Sequence, residues 1–245
     1  MPGTTAIEWT NKTWNPVTGC TKVSPGCDHC YAERLTNRFG RDFTQVSLHP
    51  NRLDAPLHWR EPSYIFVNSM SDLFHPRVPY TFVDQVFAVI RQCPQHTFQI
   101  LTKRPSRMRR YPGLWPANAW AGISIESQDY AWRADILRKV PAAVRFLSIE
   151  PLIGPIASLD LQGIHWVIVG GESGPGHRPL DINWVRTLRD QSVSEHVAFF
   201  FKQWGGLTPK SGGRELDGRT WDEMPRGLAI PTPETPRLVP AFAVS

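Results

Sequence analysis

Residues Ala119–Glu150 read A-W-A-G-I-S-I-E-S-Q-D-Y-A-W-R-A-D-I-L-R-K-V-P-A-A-V-R-F-L-S-I-E. Two nearly unbroken apolar runs, Ala119–Glu126 and Val144–Glu150, flank a stretch, Ser127–Lys139, that suits an amphipathic helix. Apolar runs this short and this continuous fit strands covered on both faces, as in a parallel sheet packed under helices. The segment therefore reads as strand, crossover helix, parallel strand. Each strand closes on Ser-x-Glu, Ser124 with Glu126 and Ser148 with Glu150. Side chains two apart on a strand share a face, so each pair points the same way.

The same unit recurs on either side. Strands are predicted at Tyr64–Met70, Thr97–Lys103, His165–Gly170 and Val197–Gln203, with a weaker one around Thr13–Thr18. Helices are predicted at Thr81–Gln92 and Asp181–Glu195, the latter with Asp181 as N-cap and Val185 and Leu188 at helical spacing. This order predicts an α/β fold over residues 1–224, a single TIM-like βα barrel, full or partial, and not an open doubly wound sheet. The deciding detail is where the polar residues fall. Asn68-Ser69, Lys103-Arg104, Glu126, Glu150, Glu172-Ser173 and Lys202-Gln203 all sit at strand ends. A barrel gathers every such end at one mouth, whereas an open sheet brings only those near its switch point to a ligand. Residues Gly205–Met224, rich in glycine and charge, read as a loop or lid, and the proline-rich stretch 225–245 as a loosely attached tail.

Composition narrows the class. With 41% hydrophobic and 20% charged residues, the chain suits a soluble domain with a sizeable core. No apolar run approaches the ~20 residues needed to span a bilayer, so no membrane partner is expected. The N-terminus lacks a basic-then-apolar export signal, and a cytoplasmic location is expected. A net charge of +5 permits a polyanionic partner such as nucleic acid without requiring one.

Three of the four cysteines lie in G-C-T-K-V-S-P-G-C-D-H-C-Y: Cys20, Cys27 and Cys30, with six and then two residues between them. That clustering is a metal-ligand arrangement and not a secreted disulfide framework. Three thiolates leave a four-coordinate metal one ligand short. Two readings stand: a zinc site closed by a histidine such as His29, or a 4Fe–4S cluster with one iron left free for a small molecule. Cys93, after a helical stretch, reads as an ordinary buried thiol.

The segment T-W-N-P-V-T-G-C-T-K-V-S-P-G-C-D-H-C-Y-A-E resembles the opening of a phage- and bacterium-associated three-cysteine-motif family of uncharacterised proteins. The resemblance continues through I-F-V-N-S-M-S-D-L-F-H, F-Q-I-L-T-K-R-P, W-V-I-V-G-G-E-S-G-P and F-F-F-K-Q-W-G-G, and covers most of the chain from Thr13 to Pro225. That family in turn is similar to a divergent branch of the radical S-adenosylmethionine (SAM) superfamily. The likeness implies a 4Fe–4S cluster on Cys20, Cys27 and Cys30, placed after the first strand, that cleaves SAM with an electron from a donor protein. The superfamily's usual first gap is three residues; here it is six. His29, before the third cysteine, takes the place of an aromatic residue near the SAM adenine.

The superfamily's Gly-Gly-Glu element follows its second strand. Here Gly170-Gly171-Glu172 follows a late strand, and the second ends in Asn68-Ser69. Both sets are candidates to hold SAM. For Gly170 and Gly171 the alternative is a tight turn. Ser124, Glu126 and Glu150 are candidates for the SAM ribose, or else for salt bridges to Lys103, Arg104 or Lys202. Lys103 and Lys202 are expected as catalytic cations at the mouth, suited to a carboxylate or phosphate. The run Lys103–Arg110 reads either as a solvated surface or as a rim for nucleic acid or nucleotide.

Overall fold

A computed structural model describes residues 5–225. Among the described residues, nine strands and five α-helices follow in the order β1 (Lys12–Trp14), β2 (Val17–Thr18), α1 (Tyr31–Arg38), β3 (Ser47–Leu48), β4 (Tyr64–Val67), α2 (Tyr80–Gln92), β5 (Thr97–Thr102), α3 (Pro105–Arg109), β6 (Ala119–Ser124), α4 (Arg133–Leu137), β7 (Arg145–Ile149), β8 (Trp166–Gly170), α5 (Ile182–Ser194) and β9 (Ala198–Gln203). Seven strands form one parallel sheet in the order β1-β4-β5-β6-β7-β8-β9, and β2 pairs antiparallel with β3. Spatial order follows chain order without reversal. Each crossover therefore steps the same way and, being right-handed, those that carry a helix (α2, α3, α4 and α5) place it on the same face, while β7 and β8 are joined by a loop alone. The sheet curls into a half-barrel whose edge strands are β1 and β9.

The two faces carry separate cores. Outward residues Ile65, Val67, Phe98, Ile100, Ala121, Ile123, Leu147, Ile149, Val167, Val169, Phe199 and Phe201 pack with the buried faces of α2, α4 and α5. Inward residues Phe66, Trp120, Phe146, Trp166, Ile168 and Phe200 form a second cluster with Trp9 from the N-terminal segment. Trp166 is fully buried, its ring within 6.2 Å of those of Trp9, Trp120, Phe146 and Phe200. Gly122 makes room for this filling, because a Cβ there would lie 2.1 Å from Phe146 Cζ. The β9 edge is covered: Phe201 N–H donates to Trp221 O (2.9 Å) and Glu223 N–H to Phe199 O (3.2 Å).

Most predicted elements are present with shifts at their ends. Asp181 caps α5, its side chain accepting from Asn183 N–H at 2.8 Å. The helix expected over Ser127–Lys139 is a 3₁₀ turn, Gln128–Tyr130, followed by the five residues of α4, and Pro141 lies just beyond. The segment expected as one strand over Thr13–Thr18 is split into β1 and β2, which belong to different sheets. The expected tail lies outside the described residues beyond Pro225. No helix of the described residues is long and apolar enough to cross a membrane.

Candidate functional site

A cavity of about 530 Å³ opens at the carboxyl ends of the parallel strands. Asn68 and Ser69 reach it after β4, Lys103 and Arg104 after β5, Ser124 from β6, Ser148 from β7 and Glu150 just after it, Gly171 and Glu172 after β8, and Lys202 and Gln203 from β9. Its floor is the top of the inner cluster, with Trp9, Phe66 and Leu101. Cys20, Cys27, His29 and Cys30 form one wall. The loop between β2 and α1 thus brings all three clustered thiols to the mouth where the strand ends converge. All three are free and half-buried, whereas Cys93 is fully buried and away from the site.

Each sulfur has a polar neighbour. The Arg104 guanidinium donates to Cys20 Sγ (3.5 Å), and Ser24 Oγ lies 3.8 Å from Cys27 Sγ. Cys30 is the N-cap of α1, and the amides of Glu33 and Ala32 point at its sulfur. Burial pushes the Cys20 thiol up to about 11, aided by Asp72 and opposed by Arg104. Burial also raises Cys30, against its helix amides. Thiols raised in this way, as at Cys20 and Cys30, carry protons that a bound metal would displace. Among the described residues, no three His, Cys, Asp or Glu side chains are grouped to hold one metal ion.

The strand-end acids are engaged with the thiol loop. Glu126 is completely buried and is not part of the cavity lining. Its carboxylate accepts from Ser24 Oγ (2.7 Å), Arg133 Nη1 (3.0 Å) and Lys103 Nζ. Burial would raise its proton affinity, but Lys103 and Arg133 outweigh that and hold the group below its ordinary value. Glu172 accepts from His29 Nδ1 (2.8 Å) and from Arg178 through N (2.9 Å), Nε (3.0 Å) and Nη2 (2.5 Å). Arg178 continues to Pro25 O at 2.9 Å. Arg104 binds Asp72 Oδ2 (2.8 Å) and Thr21 O (2.8 Å). Three strand ends therefore each grip one part of the loop: Thr21, Ser24, and His29 with Pro25.

The opposite wall is separate from the loop. Lys202 Nζ pairs with Glu150 Oε1 at 2.6 Å, and Gln203 donates to Ser173 Oγ at 2.8 Å. Asn68, buried and in the left-handed region (φ 64°), accepts from Val17 N–H at 3.3 Å, while its Nδ2 has no hydrogen-bond partner. Ser69 Oγ bonds the Asn15 side chain. Gly170 lies behind the lining, where a Cβ would meet Glu150 Cδ at 3.2 Å. Gly171 stays in the lining and packs against the end of β9: its N–H donates to Gln203 O at 2.9 Å, and a Cβ would sit 2.1 Å from Trp204 O.

Other charged and polar groups near the site are engaged within the fold. Within Lys103–Arg110, Lys103 and Arg104 pair with acids, Arg107 lies on the Tyr80 ring (4.5 Å) and donates to Val78 O, and Arg110 bonds Ser106 O. His49 bonds Thr18 and His75 bonds Thr21. From the expected lid, Pro209 and Lys210 reach the cavity, and Lys210 pairs with Glu8 at 3.1 Å. Sequence reading passed over Arg133 and Arg178. The available signal was a cation seven or six residues after a strand-end acid, which a helical turn or tight loop folds back.

A family model described as "Protein of unknown function (DUF5131)" matches residues 4–225. No curated protein matches the chain. Among solved structures, a mutant spore photoproduct lyase with bound AdoMet and dinucleoside spore photoproduct is similar, at 12% identity and a TM-score of 0.42, over 74% of this chain and 61% of that chain. A second mutant of the same enzyme aligns at 11% identity and 0.44, over 78% and 63%. The chain thus spans less than two thirds of the solved chains it matches.

Proposed function

The chain belongs to the DUF5131 family of proteins of unknown function, and we propose that it is an iron–sulfur enzyme of the radical SAM kind. The observation that carries this reading is the meeting of Cys20, Cys27 and Cys30 with the polar strand ends around one cavity. A half-barrel mouth is where such folds place their chemistry. The donor set fits a cluster: three free thiols on one loop, each with a polar neighbour, and hydrogen bonds to cluster sulfurs are a recognised means of tuning it. A cube engages each thiolate with a different iron, so the three sulfurs need not converge on one point as zinc ligands do.

Bound there, the cluster would supply the electron, received from a donor protein, that cleaves SAM and starts radical chemistry on a substrate. The residues of the chain have the remaining tasks. Cys20, Cys27 and Cys30 hold the cluster, while Arg104 offsets thiolate charge at Cys20 and the first turn of α1 offsets it at Cys30. Asn68, with its free amide, and the Glu150–Lys202 pair face the volume left for SAM. That volume lies within the roughly 300–1,000 Å³ of small-molecule sites. Trp9, Phe66 and Leu101 keep water from the floor. For the substrate we infer a nucleotide or nucleic acid, supported by the net charge of +5 and not by the Lys103–Arg110 run, whose cations are largely engaged within the fold.

The test is anaerobic reconstitution with iron and sulfide, then incubation with SAM and dithionite. Iron and sulfide in cluster proportion and release of 5′-deoxyadenosine are expected, both lost in Cys27→Ala. Protein that takes up about one zinc and no iron would establish the zinc reading instead. A cluster without deoxyadenosine release would leave a catalytically silent protein acting through a partner.

A further inference from the structure

The unusual feature of the thiol loop is its first gap, six residues from Cys20 to Cys27, and the middle of that gap rests on Glu126. We propose that Glu126 is a positioning residue that places Cys27 through Ser24, and not a ligand-binding acid. The inference rests on the reading of the three thiols as metal ligands.

Four observations meet here. Glu126 is fully buried with both carboxylate oxygens engaged, Oε1 by Ser24 and Lys103, Oε2 by Arg133. Ser24 precedes the 3₁₀ turn Pro25–Cys27, and Cys27 N–H donates to Ser24 O at 2.9 Å. Ser24 is thus joined to Cys27 through its backbone and to Glu126 through its side chain. Gly26 passes flush against the same acid, since a Cβ there would lie 2.3 Å from Glu126 Cγ. Finally, Lys103 and Arg133 fix the carboxylate from two sides, so its position is set by β5, β6 and α4 and not by the loop.

The consequence is geometric: the Ser24–Glu126 bond fixes the middle of the long gap, between the Arg104 contact at Thr21 and the Arg178 contact at Pro25.

The test is read first without any metal. In the apo protein, alkylation of each cysteine by iodoacetamide is followed by mass spectrometry. In Ser24→Ala, Cys27 should react about tenfold faster, the factor equivalent to losing one hydrogen bond to a charged group, while Cys20 and Cys30 change little. Ser24→Thr, which keeps the hydroxyl, should restore the original rate. Glu126→Asp keeps the charge but withdraws the acceptor, and it should accelerate Cys27 as Ser24→Ala does, with less iron retained after reconstitution. An unchanged Cys27 rate in Ser24→Ala overturns the proposal, as does equal acceleration of all three cysteines. Acceleration in Ser24→Ala with none in Glu126→Asp also overturns it, because the direct Ser24–Cys27 contact would then explain the effect. If the alkylation pattern holds but wild-type protein takes up no iron, the positioning role stands and the radical SAM reading fails.

Discussion

Replacing Glu172 by Gln should destabilise the protein only while the native carboxylate is ionised. Glu172 is 5% exposed and accepts four hydrogen bonds, three from Arg178 and one from His29. Burial works to raise its proton affinity, yet the bonds from Arg178 and His29 and the Arg178 charge lower it from the ordinary 4.5 to about 2. Each tenfold change in proton affinity is worth about 1.4 kcal/mol. The roughly 2.5 decades between those values therefore correspond to ~3 kcal/mol of native-state stabilisation. This is an upper figure, because the Arg178 side chain keeps 29% of its surface in water. A group whose proton affinity is lowered on folding contributes fully above its unfolded value and loses that contribution as pH falls toward the folded one. Gln approximates the protonated acid in shape and charge. Urea unfolding of both proteins should thus show a gap of about 2–3 kcal/mol at pH 7, unchanged down to about pH 5, then shrinking toward zero near pH 2. A gap below ~1 kcal/mol at neutral pH, or one that stays constant across the acid range, would refute the electrostatic account. A constant gap would mean that Gln merely packs badly.

Two further outcomes follow from the cavity and its floor. Gly122→Ala should lower stability by about 1–3 kcal/mol through overpacking against Phe146, and Phe146→Leu in the same chain should recover much of it in urea titrations. An additive loss in the double variant would remove Phe146 as the cause. Lys202→Met should weaken SAM binding to the reconstituted protein about tenfold by calorimetry, through loss of one charged hydrogen-bond donor. Its urea midpoint should move little, because the Lys202–Glu150 pair is partly hydrated. Unchanged affinity would exclude Lys202 from the ligand wall.

The fold was legible because its signals are local. Runs such as Trp166–Gly170 bury every residue, and a strand closed on both faces needs no partner to be recognised. Asp181 was legible for the same reason, its capping bond reaching only two residues. Helix α1 is harder to read because it is only eight residues long and buries little: Ala32 alone is buried, while Leu35 is exposed and Tyr31 lines the cavity, so it lacks the core-facing apolar stripe that marks the longer helices. The roles of the acids were legible only by halves. Strand-end position brought Glu126 and Glu172 to the carboxyl ends of the sheet, but their partners are set by the fold: Ser24 lies 102 residues from Glu126, and His29 lies 143 from Glu172. A sequence shows which groups can pair; distance along the chain hides which ones do.

This division of labour has a consequence for how the site can change. Arg104, Glu126 and Glu172 leave β5, β6 and β8 and brace successive parts of the thiol loop, so the cysteine wall depends on the register of most of the sheet. A one-residue slip in any of these strands would turn its acid or cation toward the helices and release part of the loop. Glu150, Lys202 and Gln203 instead bond one another or the turn after β8, and none bonds residues 20–30. Substitutions on that wall can alter what the cavity holds without dislodging the cysteines, whereas substitutions in the braces disturb the cysteines before they touch any ligand. Selectivity and metal retention should therefore separate in mutants according to the strand from which the altered side chain projects.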